Sequence, residues 1–264
     1  MSACTNGTKA VVAPFAEVLP LVLVEEVAPG LSRARNRALE KCCGDFVLFL
    51  DDDVTVDPGI GRAYVESFAR HPDSSFFGGA ITVRFEGSPP TVIRHVSEYL
   101  PSTYSGLWLG EKERHFNADA FQTPFGANMA IKRDALTAVL FDETLGRSGA
   151  SGPQGGEEVK LFRELARNGH TGFWVPAAKV DHWIAPDRQT MHYVREYWRQ
   201  AGALQIKLGR RDDSNARLTL AKRLRLLWRL ACYRSIDRPA RWLPAFRELQ
   251  QEKGRIDEIR NAGH

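Results

Sequence analysis

Two hydrophobic periods alternate along most of the chain. Short apolar runs of strand type, residues 20–25 (PLVLVE), 46–50 (FVLFL) and 75–85, are separated by segments whose apolar positions recur every three or four residues. The first such segment, 31–43, sets Leu31, Ala34, Ala38 and Leu39 roughly on one face; the second opens after Asp57 and Pro58 and runs to about Arg70, with Tyr64 and Phe68 on its apolar side. Strands spaced by helices of this length predict right-handed crossovers and an α/β fold with a doubly wound, mostly parallel sheet. Residues 86–123 lose the pattern in a stretch rich in Gly, Pro, Ser and aromatics, with a short helix at 92–100; irregular connections of this length often carry function. Further on, 125–131 (FGANMAI) reads as a loop entering a strand, and a helix follows from 132 to about 140. A Gly-rich run, 146–156, feeds a helix over 157–167 with Val159, Phe162, Leu165 and Ala166 as its apolar stripe, stopped by Gly169. Two short strands, 172–175 and 178–183, precede helices at about 188–208, 216–233 and 241–259.

With 264 residues the chain can bury one substantial core. The expected division is a catalytic body over 1–208 and a helical extension over 209–264. Charge supports it: residues 209–264 hold 14 Lys or Arg and 7 Asp or Glu, a net of +7, which leaves −3 for the rest of a chain whose total is +4. The most apolar region, 10–24, is broken by Pro14, Glu17 and Pro20, so no membrane span is expected, and MSACTNGTK lacks signal-peptide architecture. The expected compartment is the cytoplasm. Cys4, Cys42, Cys43 and Cys232 have no zinc-like spacing and read as reduced thiols.

The run 46–53 (FVLFLDDD) is the most telling: a strand suited to a sheet interior ends in three consecutive carboxylates. Like charges crowded at the carboxyl end of a strand, where open α/β sheets keep their ligand crevice, call for a cation. On an extended chain Asp51 and Asp53 face one way and Asp52 another, a D-x-D arrangement whose hard oxygen donors suit Mg²⁺ or Mn²⁺. An acidic solvated turn leading into the helix near Asp57 explains the same residues.

Glu157 and Glu158 open a helix, where carboxylates complement the helix dipole. A Gly-rich loop feeding that pair can also close over a substrate and bring one carboxylate to an acceptor hydroxyl as general base. His182, at a strand end in KVDHW, is either a satisfied structural imidazole or an added ligand for a Mn²⁺-like ion. Arg188 can pair a phosphate. Arg33, Arg35 and Asn36 lie on the helix before the acidic strand, Arg33 being equally well a surface charge.

In order and spacing, GLSRARNRALEKCCGDFVLFLDDDVTVDPG, FGANMAIKRDAL, GGEEVKLFRELARNGH and VPAAKVDHWIAPDR resemble the family 2 nucleotide-sugar glycosyltransferases of GT-A fold, over about residues 29–199. That resemblance implies that Asp51 and Asp53, with His182, hold the metal, and that the donor lies against Asp51, Asp52, Arg35, Asn36, Arg188 and the segment Gly126, Ala127 and Asn128. It matches Glu157 and Glu158 to the family's Glu-Asp pair, with Glu158 as base. Relatives begin with a strand, a helix and a second strand ending in Asp before a segment like N-x-S-T-D-x-T. Here SACTNGT occupies that segment, which implies a sheet without those first elements.

The activity so implied is transfer of a sugar from a nucleoside diphosphate sugar to an acceptor hydroxyl, with inversion, the acceptor being carbohydrate or lipid-linked. A non-catalytic binding or assembly module of the same fold is the alternative. A nucleotidyltransferase would need an amino-terminal Gly-rich phosphate loop, which is absent, and nucleic-acid binding is not expected from a tail poor in aromatics and interspersed with acids. In that tail Leu220, Leu224, Leu227, Trp228 and Ala231 form a stripe among Arg217, Lys222, Arg223, Arg225 and Arg229. It can pack on the body or lie on a membrane surface.

Overall fold

A computed structural model describes residues 7–116, 123–146, 155–209, 220–235 and 237–262. Most of the SACTNGT segment, the centre of the Gly-rich run and the start of the tail lie outside the described residues. Helix α1 (Thr8–Val12) runs on as a 3-10 turn (Ala13–Glu17) and an irregular connection, then α2 (Leu31–Leu39), β1 (Phe46–Phe49), β2 (Val54–Val56), α3 (Ile60–Arg70), β3 (Phe76–Phe85) and α4 (Thr91–Tyr99). The chain continues through β4 (Arg114–His115), β5 (Met129–Lys132), α5 (Arg133–Ala138), α6 (Glu157–Arg167), β6 (Gly172–Ile184), α7 (Met191–Lys207), α8 (Leu220–Ser235) and α9 (Pro239–Ala262).

The sheet runs β1-β5-β3-β6-β2, with β4 added to β6. Its longest ladder, β3 against β6, is parallel, from Phe76↔Gly172 to Phe85↔Ile184. There the expected parallel arrangement holds. The shorter flanking ladders of β1 and β3 with β5, and of β2 and β4 with β6, run antiparallel. The two strands expected over 172–183 are one strand: the register jumps from Gly79↔Val175 to Ala80↔Lys179, so 176–178 bulge where Pro176 has no N–H to give.

Both faces are covered, as a doubly wound sheet requires. Ile60, Ala63 and Tyr64 of α3 pack on Phe77, Ile81, Ala130 and Val180, while Leu161, Phe162 and Leu165 of α6 pack on Phe76, Met129, Ile131 and Trp174. A third cluster joins Ile93 and Val96 of α4, Val194 and Trp198 of α7, and Trp242, Leu243 and Phe246 of α9. Helices α7 and α9 approach backbone to backbone. A Cβ on Gly202 would collide with the Gln251 carbonyl, and one on Gly254 with that of Arg199.

One strand expectation is corrected. Residues 20–25 form no strand, and Leu21, Val22 and Leu23 stand exposed. A strand persists only where a neighbour completes its hydrogen bonds, and among the described residues β1 is an edge strand that this segment does not join.

Candidate active site

Strand β1 delivers the three aspartates, but not as an extended D-x-D. The chain turns at Asp51–Asp53 and re-enters the sheet as β2, whose Val54↔His182 register places Asp53 beside the imidazole. Asp51 and Asp53 therefore meet different partners. The antiparallel register Phe49↔Met129 brings the same turn alongside the loop that precedes β5.

Arg35 of α2 is the hub. Its buried guanidinium reaches Glu158 Oε1 at 3.1 Å and Glu157 Oε1 at 3.3 Å through Nη1, and Asp51 Oδ1 at 3.5 Å through Nη2. The acidic turn and the first turn of α6, over a hundred positions apart in sequence, are thus held at one point. Burial alone would lower the Arg35 pKa, but Glu158, Glu157 and Asp51 outweigh it and hold it above its ordinary value. Burial raises the Asp51 carboxyl above the usual range, only partly offset by Arg35. Glu157 is pushed up to about 8 by burial and by the adjacent Glu158, and its buried Oε2 has no hydrogen-bond partner. Glu158 keeps more contact with the cavity, its side chain 16% exposed against 3% for Glu157.

Gly126 makes this packing possible, since a Cβ there would strike Arg35 Nη2 and Glu158 Oε1. Gly156, at φ +106°, begins α6 where a Cβ would run into Leu204 of α7. These two positions need glycine because side chains already fill the space a Cβ would take.

Asp53 forms the second half of the site. Its Oδ2 accepts from Arg188 Nη1 at 3.0 Å, and its Oδ1 lies 3.1 Å from His182 Nε2. Burial pushes the Asp53 pKa up, but His182 and Arg188 more than reverse this and leave it below the usual range. The Arg188 guanidinium also lies 5.6 Å from the Tyr193 ring.

His182 Nδ1 is 2.8 Å from the Tyr104 carbonyl, which can only accept, so Nδ1 carries the proton. With Nε2 also protonated the ring donates to Asp53 Oδ1; with Nε2 bare, its lone pair faces that buried oxygen. Two acceptors at that distance require a proton or a metal cation. One imidazole nitrogen and one carboxylate oxygen, the imidazole fixed from behind by a carbonyl, form a donor set that fits Mn²⁺ or a similar ion. Among the described residues no group of three or more His, Cys, Asp or Glu side chains is gathered as a finished ion site. The protein's share of such a shell is partial, with phosphate oxygens and water left to complete it.

A cavity of about 1050 Å³ opens beside these groups; Asp51, Asp52, Asp53, Gly126, Glu157 and Glu158 line one side, with Arg35, His182 and Arg188 outside the lining and bonded to its carboxylates. Its other walls are Phe125, Tyr197, Trp198 and Leu204, together with Arg247, Gln251 and Glu258 of α9. Several expected contacts turn away from it. Asn128 is fully buried: its Nδ2 donates to the Ala80 and Ala178 carbonyls and its Oδ1 accepts from Tyr64. Ala127 is buried beside it, and Asn36 is committed to the Phe141 backbone on both sides of its amide. These three shape the site without reaching its wall. The sequence reading missed β2, the Tyr104 carbonyl and the α7 and α9 wall. Of these, only β2 had a local signal, the alternating Val54-Thr55-Val56.

A family model described as glycosyltransferase like family 2 matches residues 3–203. The chain is similar to the glucosyl-dolichyl phosphate glucuronosyltransferase of Haloferax volcanii, 26% identical over 175 residues, which are 64% of this chain and 53% of that protein. It thus spans about half the length of that curated relative. Among solved structures, a mycobacterial protein aligns with TM-score 0.47 and 20% identity, over 83% of this chain and 65% of that one. Residues 1–349 of S. aureus TarS align with TM-score 0.47 and 15% identity, over 75% and 52%.

Proposed function

The chain belongs to the glycosyltransferase like family 2, and from that membership we propose that it transfers a sugar from a nucleoside diphosphate sugar to an acceptor hydroxyl with inversion at the anomeric carbon. One observation carries the reading: Arg35 ties Asp51 to Glu157 and Glu158 across a single cavity, so a donor-side acid cluster and a candidate base face the same space.

Asp53 and His182, with Asp51 close by, would hold Mg²⁺ or Mn²⁺ against the donor diphosphate. When bound, a divalent ion there would neutralise charge developing on the departing diphosphate. Arg188 offers that diphosphate a guanidinium, and Asp52 and Gly126 line the space beside it. Glu158 takes the proton from the acceptor hydroxyl, whose oxygen forms the new bond to the anomeric carbon as the bond to the diphosphate breaks on the opposite face. Glu157, kept protonated by burial, is then a support, and Glu158 is the more cavity-exposed carboxyl of the pair.

The acceptor in this reading is carbohydrate or lipid-linked. The relative named for a dolichyl phosphate substrate favours the second. The protein works from the cytoplasm, peripheral to the inner face of a membrane, and no helix among the described residues is long and apolar enough to cross one. The test is hydrolysis of a panel of nucleotide sugars with Mg²⁺, Mn²⁺ or chelator, on the wild type and Asp53→Asn. Turnover of at least one donor that needs the metal, with metal-linked donor binding lost in the variant, is expected. Metal-independent turnover, or unchanged calorimetric binding in Asp53→Asn, would refute the assignment.

A further inference from the structure

Helix α8 packs on the molecule through a face other than its most apolar one. Leu226, with Leu230 beside it, contacts Ala245 and Leu249 of α9, and Arg223 pairs with the buried Glu252. That leaves Leu224, Leu227 and Trp228 exposed at 57%, 51% and 60%, with Ala231 also exposed. The spacing i, i+3, i+4, i+7 makes them one continuous stripe. Exposed Arg225 and Arg229 border it on one side and exposed Arg234 on the other. The sequence of α8 has five cations and no carboxylate.

We propose that this stripe is an in-plane anchor for an anionic lipid bilayer. Leucine and tryptophan side chains enter the boundary between headgroups and acyl chains, while the flanking arginines stay at phosphate level, the pattern of an interfacial helix. A second copy of the chain fits the stripe poorly. A symmetric contact would set Arg225 and Arg229 against their own copies, and four side chains on one helix fall far short of the roughly 1,200 Å² that a stable association buries. A bilayer needs neither a matching partner nor a large footprint.

The anchor also has a place in the reaction, and this part rests on the transferase reading above. Helix α9, on which α8 lies through Ala245 and Leu249, presents Arg247 and Gln251 from its other side to the cavity wall, so an anchored α8 tethers the cavity-bearing body to the bilayer in which a membrane-bound acceptor diffuses.

The test is cosedimentation of the full chain with vesicles of phosphatidylcholine, with and without phosphatidylglycerol, alongside donor hydrolysis in solution. The wild type is expected to pellet with the anionic vesicles and to be released by high salt. Leu227→Gln/Trp228→Ser and Arg225→Gln/Arg229→Gln, all at exposed positions, should each weaken vesicle binding about tenfold and leave hydrolysis unchanged. Vesicle binding by both variants equal to that of the wild type, or none by the wild type, overturns the proposal. So does a dimer in solution that the stripe variants convert to monomer. Vesicle binding that follows the stripe in a protein that turns over no donor upholds the anchor and removes the transferase reading instead.

Discussion

At the scale of single residues, Glu157 is buried against Glu158 and Arg35 with its carboxyl raised to about 8, while Glu158 reaches the cavity. If Glu158 is the base, Glu158→Gln should cost about 10²- to 10⁴-fold in kcat with donor KM little changed. Glu157→Gln is close in shape and charge to a protonated Glu157 and should retain most activity. Steady-state kinetics on the two amides decides between them, and the opposite ranking would exchange their roles. Glu157 also sets a pH dependence of stability. Its folded pKa lies above the ordinary 4.5, so the folded state binds the proton more tightly. That stabilisation is fully present below about pH 4.5 and is lost as pH rises through about 8. Melting temperature should therefore fall between about pH 5 and 8 more steeply in the wild type than in Glu157→Gln.

Among the elements, α6 matters through the position of its first turn. Gly156 combines a left-handed φ of +106° with contact against Leu204, so α6 starts close against α7, with Arg35 bridging its first turn to Asp51. Gly156→Ala should destabilise the fold by about 1–3 kcal/mol, from backbone strain plus the clash. Adding Leu204→Ala should recover the clash component and leave the strain, a partial rescue measurable by chemical denaturation. Full rescue would mean that the backbone conformation costs nothing. The β2 ladder acts likewise on the other half of the site, because three residues paired with β6 fix Asp53 at His182.

For the molecule as a whole, the carboxyl-terminal helices form part of the cavity. Gly202 and Gly254 let α7 and α9 approach closely enough for Arg247 and Gln251 to line it. Gly254→Ala sets a methyl against the Arg199 carbonyl, and backbone cannot rotate aside as a side chain can. A loss of about 1–3 kcal/mol in stability is expected, with acceptor KM raised and donor hydrolysis less affected. Equal losses in both reactions would show that α9 supports the fold without shaping the acceptor side.

Residues 46–53, 125–131 and 157–167 could be read from the sequence because their information is local. An apolar run ending in carboxylates, a glycine-bearing loop into a strand and an amphipathic period each survive without knowledge of their neighbours, and their order along the chain carried the family. The sequence alone therefore determined the α/β alternation, the acidic turn, the paired glutamates and the basic, stripe-bearing tail. Only the tertiary structure decided that 20–25 forms no strand, that Asn36 spends its amide on backbone and Asn128 on backbone and Tyr64, and that Arg35 joins three carboxylates. It also decided which face of α8 is left to solvent. Those outcomes depend on which groups meet across separations of 16 to 123 residues, and burial, hydrogen-bond satisfaction and charge pairing are settled by that meeting rather than by a residue's own type.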